Sequence, residues 1–131
     1  MIKMIETNET RVMTAYADCW MSDERDGMKL RKLSYVSSDF ISLYEWESLM
    51  RAACPLGYND FSATKVADAI REIAGDAVDS LKFRAAREGS VACYVSGDLS
   101  LLDKLCKLSR ALYADEAHID SSSEELRLWW D

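Results

Sequence analysis

The chain contains one histidine, His118, and four cysteines, Cys19, Cys54, Cys93 and Cys106. These are the side chains best suited to metal binding or nucleophilic chemistry. His118 lies among Asp115, Glu116 and Asp120, and on a strand over 117–120 it would share a face with Asp120. A histidine flanked by carboxylates is the chemistry of a metal ligand or a general base. A small metal-dependent enzyme built around His118 is therefore one reading. Transition-metal sites draw on several His or Cys ligands, however, and no H-E-x-x-H spacing is present. A surface histidine with acidic neighbours explains the same residues more simply.

The cysteines are separated by 35, 39 and 13 positions, with no C-x-x-C. A catalytic thiolate needs a base, and only His118 could serve. Cys93 and Cys106 sit in apolar patterns and read as core, whereas Cys54 precedes Pro55 and is expected nearer the surface. No G-x-G-x-x-G or G-x-x-x-x-G-K-[ST] loop occurs, so no phosphate cradle is expected. Carboxylates are numerous, but nothing singles out one pair for acid/base work. The expectation is a non-enzymatic chain without catalytic residues, metal or cofactor.

Recognition is the better prospect. From Asp115 to Asp131 the chain carries six acids against one base, Arg127, together with Trp129 and Trp130. Adjacent residues on a strand face opposite sides, so the core can take one tryptophan more easily than both. An exposed Trp ringed by acids suits a binding patch. The competing reading buries both rings. Asp115, Glu116, Asp120, Glu124, Glu125, Trp129 and Trp130 are thus the candidate partner-binding residues. A second candidate face is formed by Ile41, Tyr44, Glu45 and Glu47, on a segment apolar on several sides.

The net charge is −7, from 16 basic and 23 acidic residues. That balance disfavours direct binding to nucleic acid or to anionic membranes and permits a basic protein partner. The basic cluster Lys29, Arg31 and Lys32 runs against this trend and reads as a solvated face. No apolar run reaches the ~18–20 residues of a membrane span. Residues 1–6 lack the features of a secretory signal, so a cytoplasmic location is expected.

At 131 residues, a single domain over 1–131 is expected. Helices are predicted over 8–20, over 39–53 with Asp39 as cap and Pro55 as stop, and after Ser62. The buried stripe of the second holds Phe40, Leu43, Trp46, Met50 and Ala53, and that of the third Val66, Ala69, Ile70, Ile73 and Ala77. Residues 28–36 fit a short helix or an extended connector. The period then changes to two: 81–86 and 91–95 flank a turn at 87–90 and read as a hairpin, against the alternative that the third helix runs on to Arg87. A fourth helix follows Asp98 or Ser100 and reaches about Ala114. Residues 117–120 and 125–130 form a second hairpin around 121–124. The predicted fold is α+β: three N-terminal helices, then a small antiparallel sheet of two hairpins with a fourth helix between them.

The expected function is an acidic protein-binding module, an inhibitor or regulator docking on a basic, nucleic-acid-handling protein. In size and charge the chain is similar to small phage-encoded inhibitors of such machinery, including anti-CRISPR proteins. That likeness is one of class, and no residue role follows from it. The alternatives are a structural or assembly subunit, homodimeric through helix 39–53, and the His118 enzyme.

Overall fold

The computed structural model describes residues 16, 22–25, 28–31, 34–53 and 61–131. Seven strands, three α-helices and one 3-10 turn occur among them. The strands are β1 (Ser22–Arg25), β2 (Met28–Arg31), β3 (Ser34–Val36), β4 (Lys82–Glu88), β5 (Ser90–Ser96), β6 (Glu116–Asp120) and β7 (Glu125–Trp130). The helices are α1 (Leu43–Ala53), α2 (Ala63–Ala74) and α3 (Leu99–Lys107), and the 3-10 turn Gly75–Ser80 extends α2.

β1 and β2 pair with each other. The remaining strands form one antiparallel sheet in the order β3-β4-β5-β7-β6. This corrects the predicted arrangement of three leading helices followed by two hairpins. The sheet has five strands, and its first, β3, precedes α1 and α2 and returns to pair with β4. Residues 28–36 contribute strands rather than a helix. Their alternation of Lys29, Leu30 and Arg31 fits a pleat, and Tyr35 and Val36 are β formers. The predicted helix 8–20 lies outside the described residues except for Tyr16, which is helical and buried.

Local chemistry moves several boundaries. Residue 41 is not helical, because Ile41 exchanges both backbone hydrogen bonds with Phe83. α1 therefore starts at Leu43 and is capped by Ser42, not Asp39. Ser42 Oγ accepts from the Glu45 N–H while Glu45 Oε1 accepts from the Ser42 N–H, a reciprocal capping box. Ser62 caps α2 through the Lys65 N–H, and Asp98 caps α3 through the Ser100 N–H. α2 ends at Gly75, whose φ is +55°. Ala77, expected inward, is consequently exposed on the 3-10 turn. α3 stops at Lys107, and turns carry the chain to Asp115.

All three helices contribute to one core with one face of the sheet. Trp46, Leu49 and Met50 of α1, Val66, Ala67 and Ile70 of α2, and Leu102 and Leu105 of α3 are buried. They meet Phe83, Ala85, Val91, Cys93, Val95, Leu126, Leu128 and Trp130 of the sheet. Phe61 joins the layers, with ring centroids 6.1 Å from Trp46 and 4.9 Å from Trp130. The 11-, 12- and 9-residue helices are all too short to cross a membrane, and none of the described ones is apolar enough to do so.

Candidate functional site

The sheet's other face is turned away from this core. Strand alternation and register place side chains on it in rows across the strands. One row reads Arg84, Tyr94, Arg127 and His118. The row on one side reads Lys82, Ser96, Glu125 and Asp120, and the row on the other reads Val36, Ala86, Ala92, Trp129 and Glu116. Ala86 and Ala92 are fully buried there, whereas Val36 is 40% exposed.

Tyr94 is the centre of this face. Arg84 reaches over it from β4 to β7: its Nε meets Glu125 Oε2 at 2.8 Å, and one terminal nitrogen meets Glu125 Oε1 at 2.5 Å. The guanidinium lies 4.8 Å from the Tyr94 ring centroid and 5.6 Å from that of Phe40. Its remaining nitrogen donates to the Ser37 carbonyl at 3.3 Å. Arg127 forms the second bridge, donating to both carboxylate oxygens of Glu88 at 3.1–3.3 Å. Glu88 Oε1 also accepts from the Tyr94 hydroxyl, and the Glu88 carbonyl accepts from Trp129 Nε1 at 3.0 Å. Burial, and then the Glu88 carboxylate, push the Tyr94 phenol above its ordinary range. The charges are therefore neutralised within the molecule, and both arginines are held in forked geometry. Three cations, Lys82, Arg84 and Arg127, stand against four carboxylates, Glu88, Glu116, Asp120 and Glu125, so this face is close to neutral.

The candidate residues from 115–131 are not one patch. Trp130 is fully buried on the core face, and its Nε1 donates to the Leu112 carbonyl at 3.0 Å. Trp129 lies half-buried on the open face. Glu125 is engaged by Arg84. Asp115 and Glu116 stand at one end of β6, where Asp115 Oδ2 accepts from the Asp131 N–H and Glu116 approaches Arg127 at 3.7 Å. Asp120 and Glu124 stand at the other end, roughly 13 Å away along the strand at about 3.3 Å per residue. There Asp120 Oδ1 accepts from the Ser122 N–H and hydroxyl, and these bonds hold its carboxyl below the usual range. A shallow groove of about 350 Å³ lies between Tyr94 and this turn, lined in part by His118, Asp120, Glu125 and Arg127.

The second candidate face is mostly spent on structure. Ile41 is buried, Glu45 caps α1, and Glu47 pairs with Arg71 of α2 at 2.5 Å. Tyr44 alone projects, at 73% exposure. Phe40, expected on the buried stripe of a helix, is instead 49% exposed beside Arg84. Sequence reasoning missed the network partners Arg84, Glu88 and Tyr94, since each belongs to a different strand or strand end. The one available signal was the alternation of Arg84 and Tyr94 with the apolar residues of β4 and β5.

His118 is exposed and lies directly across from Arg127, a fixed cation. Among the described residues no group of three or more His, Cys, Asp or Glu side chains is placed to hold a metal ion. Cys93 is buried, and its burial pushes the thiol far up, away from nucleophilic use. Cys106 is half-buried beside the Ala117 carbonyl at 3.7 Å. What this face offers is rigid pattern: aromatic surface, aliphatic stems and charges whose positions are set in advance.

No family model, curated protein or solved structure matches the chain. Its function must be argued from its own geometry.

Proposed function

We propose that the chain is a protein-binding module whose docking surface is the open face of the five-stranded sheet. The observation that carries this reading is the exposure of Phe40 and Val36 on that face, next to half-buried Trp129 and the locked Arg84–Glu125 and Arg127–Glu88 pairs. Aromatic groups beside fixed arginines are the residue types that dominate interface energetics. Holding them in place before binding reduces the ordering cost.

The partner is a protein with a basic surface. Glu116, Asp120 and Glu124 bound the face on the β6 side and are exposed, so they can steer a cationic partner towards the aromatic patch. The overall charge of −7 acts in the same sense. A role as inhibitor or regulator of a nucleic-acid-handling protein is compatible with such a partner; it rests on size and charge alone.

The test is capture from a lysate of the source cells, followed by variants. Phe40→Ala and Trp129→Ala should each weaken binding of the captured protein roughly tenfold, the ordinary size of an interface aromatic. Their circular dichroism spectra should remain those of the folded protein. Capture of nothing by the wild type, or undiminished binding by both variants, would remove the proposal. Truncation of 115–131 cannot replace these variants, because β7 is an interior strand of the sheet.

A further inference from the structure

β6 is one edge of the sheet, and the direction of its backbone groups follows from its neighbour. The Trp129 carbonyl accepts from the Asp115 N–H, on the β6 side, whereas the Trp130 carbonyl accepts from the Ser90 hydroxyl, on the β5 side. Backbone groups alternate sides along a strand. Glu125, Arg127 and Trp129 therefore bond towards β6, and their register partners Asp120, His118 and Glu116 bond back. Ala117 and Ile119 are left with N–H and C=O directed outward. Among the described residues only the Ala117 carbonyl meets a donor, the Cys106 thiol at 3.7 Å, which is a weak one.

The side chains determine which strand could add here. Glu116, His118 and Asp120 share the open face and are exposed, with Asp120 held in its charged form. Ala117 and Ile119, on the opposite side, are partly buried against the core. A second copy of β6 pairing antiparallel about His118 would set Glu116 opposite Asp120 at both ends, and like charges directly opposed are destabilising. The edge thus disfavours self-pairing while retaining strong hydrogen-bonding groups. A strand with cations opposite Glu116 and Asp120 and β-branched residues between them satisfies all of these features.

We infer that β6 is a strand-addition site for an extended segment of the partner protein, antiparallel to β6, in which two basic residues flank an apolar–polar–apolar triplet. This rests on the reading of the chain as a module for a basic protein and specifies how that partner is held. Main-chain bonds to Ala117 and Ile119 supply affinity, and the flanking cations supply selection.

The test uses the full chain and the end-capped peptide Thr-Lys-Val-Thr-Val-Lys-Thr. Its addition should shift the Ala117 and Ile119 amide resonances and slow their hydrogen exchange. Exchanging both lysines for glutamate, or making the Glu116→Lys/Asp120→Lys double variant, should weaken binding about fivefold, as two exposed ion pairs imply. N-methylation of the two valines should abolish binding, because it removes the ladder donors and leaves the charge unchanged. Unmoved Ala117 and Ile119 amides at millimolar peptide, equal binding of the glutamate peptide, or tolerance of N-methylation would each overturn the inference. Concentration-dependent dimerisation protecting the same two amides would overturn the choice of occupant. The inference and the broader proposal fail separately. If Phe40→Ala releases a captured partner while the peptide leaves β6 unmoved, the edge is not the site and the binding module stands.

Discussion

At the scale of the residue, Tyr94 joins the two charge pairs of the open face. Its hydroxyl donates to Glu88, and its ring lies under Arg84. The phenol is raised above its ordinary range, first by burial and then by Glu88. The neutral phenol is therefore favoured more strongly in the folded chain than in the unfolded one. This contribution to stability is fully present below the unfolded value of about 10. It is lost as pH rises through the higher folded value, since the unfolded chain releases its proton first. Urea denaturation should show wild-type stability falling more steeply above pH 10 than that of Tyr94→Phe. At pH 7 the phenylalanine variant should lose about 1.5 kcal/mol, the lower end of the range for a hydrogen bond to a charged acceptor. Identical pH profiles for the two proteins would show that the phenol is not held as described. None of this was legible in the sequence, where Arg84, Glu88, Tyr94 and Arg127 are spread over 44 positions. Ion-pair partners on separate strands become visible only once register is known. The alternation of Leu126 and Leu128 with Glu125, Arg127 and Trp129 is, however, present in the sequence, and the structure turns the two leucines inward and the other three outward.

At the scale of the element, both late hairpins were legible because their periodicity and turns are local. The β4–β5 register closes from Glu88 to Ser90 across Gly89, and the β6–β7 register closes from Asp120 to Glu125 across four residues. The return of β3 to β4 was not legible, since it joins residues about fifty positions apart with two helices between. Nor was the bridge of Ile41 to Phe83, because Phe40 and Ile41 continue the helical pattern of residues 43–53. The turns allow a prediction of opposite signs. Gly89 has φ +74° and Glu124 has φ +53°, both in the left-handed region. An added Cβ at Gly89 would meet nothing within 4 Å, so the cost of Gly89→Ala is conformational rather than steric. It should destabilise by about 1–2 kcal/mol. Glu124→Gly relieves the same strain, partly offset by the greater freedom of glycine in the unfolded chain, and should stabilise by about 0.5 kcal/mol. Thermal denaturation of the two variants should bracket the wild type, and a destabilised Glu124→Gly would contradict this account of the turn.

At the scale of the whole molecule, the tandem tryptophans separate the two roles of the sheet. Trp130 faces the helices, is fully buried, packs against the Phe61 ring at a tilt and donates to the Leu112 carbonyl. Trp129 faces the open side, half-buried, with its indole N–H on the Glu88 carbonyl. A two-residue period marks Trp130, in step with Leu126 and Leu128, as the inner ring, and Trp129, in step with Glu125 and Arg127, as the outer one. Pairing with β5 gives the same assignment, because Trp130 stands opposite Val91 of the core and Trp129 opposite Ala92. Removal of the inner ring leaves a large cavity and an unpartnered Leu112 carbonyl, so Trp130→Ala should cost about 3–5 kcal/mol. Small domains have only about 5–15 kcal/mol in total, so this variant should be close to unfolding at 37 °C. Trp129→Ala removes a half-exposed ring and one hydrogen bond and should cost about 1–2 kcal/mol. Chemical denaturation of both variants reads the difference directly. If the two costs were equal, the sheet would not divide the molecule into a structural face and a recognition face. Loss of binding in Trp129→Ala could then no longer be separated from loss of fold. With the expected gap of a few kcal/mol, Trp129→Ala remains folded and reports on recognition alone.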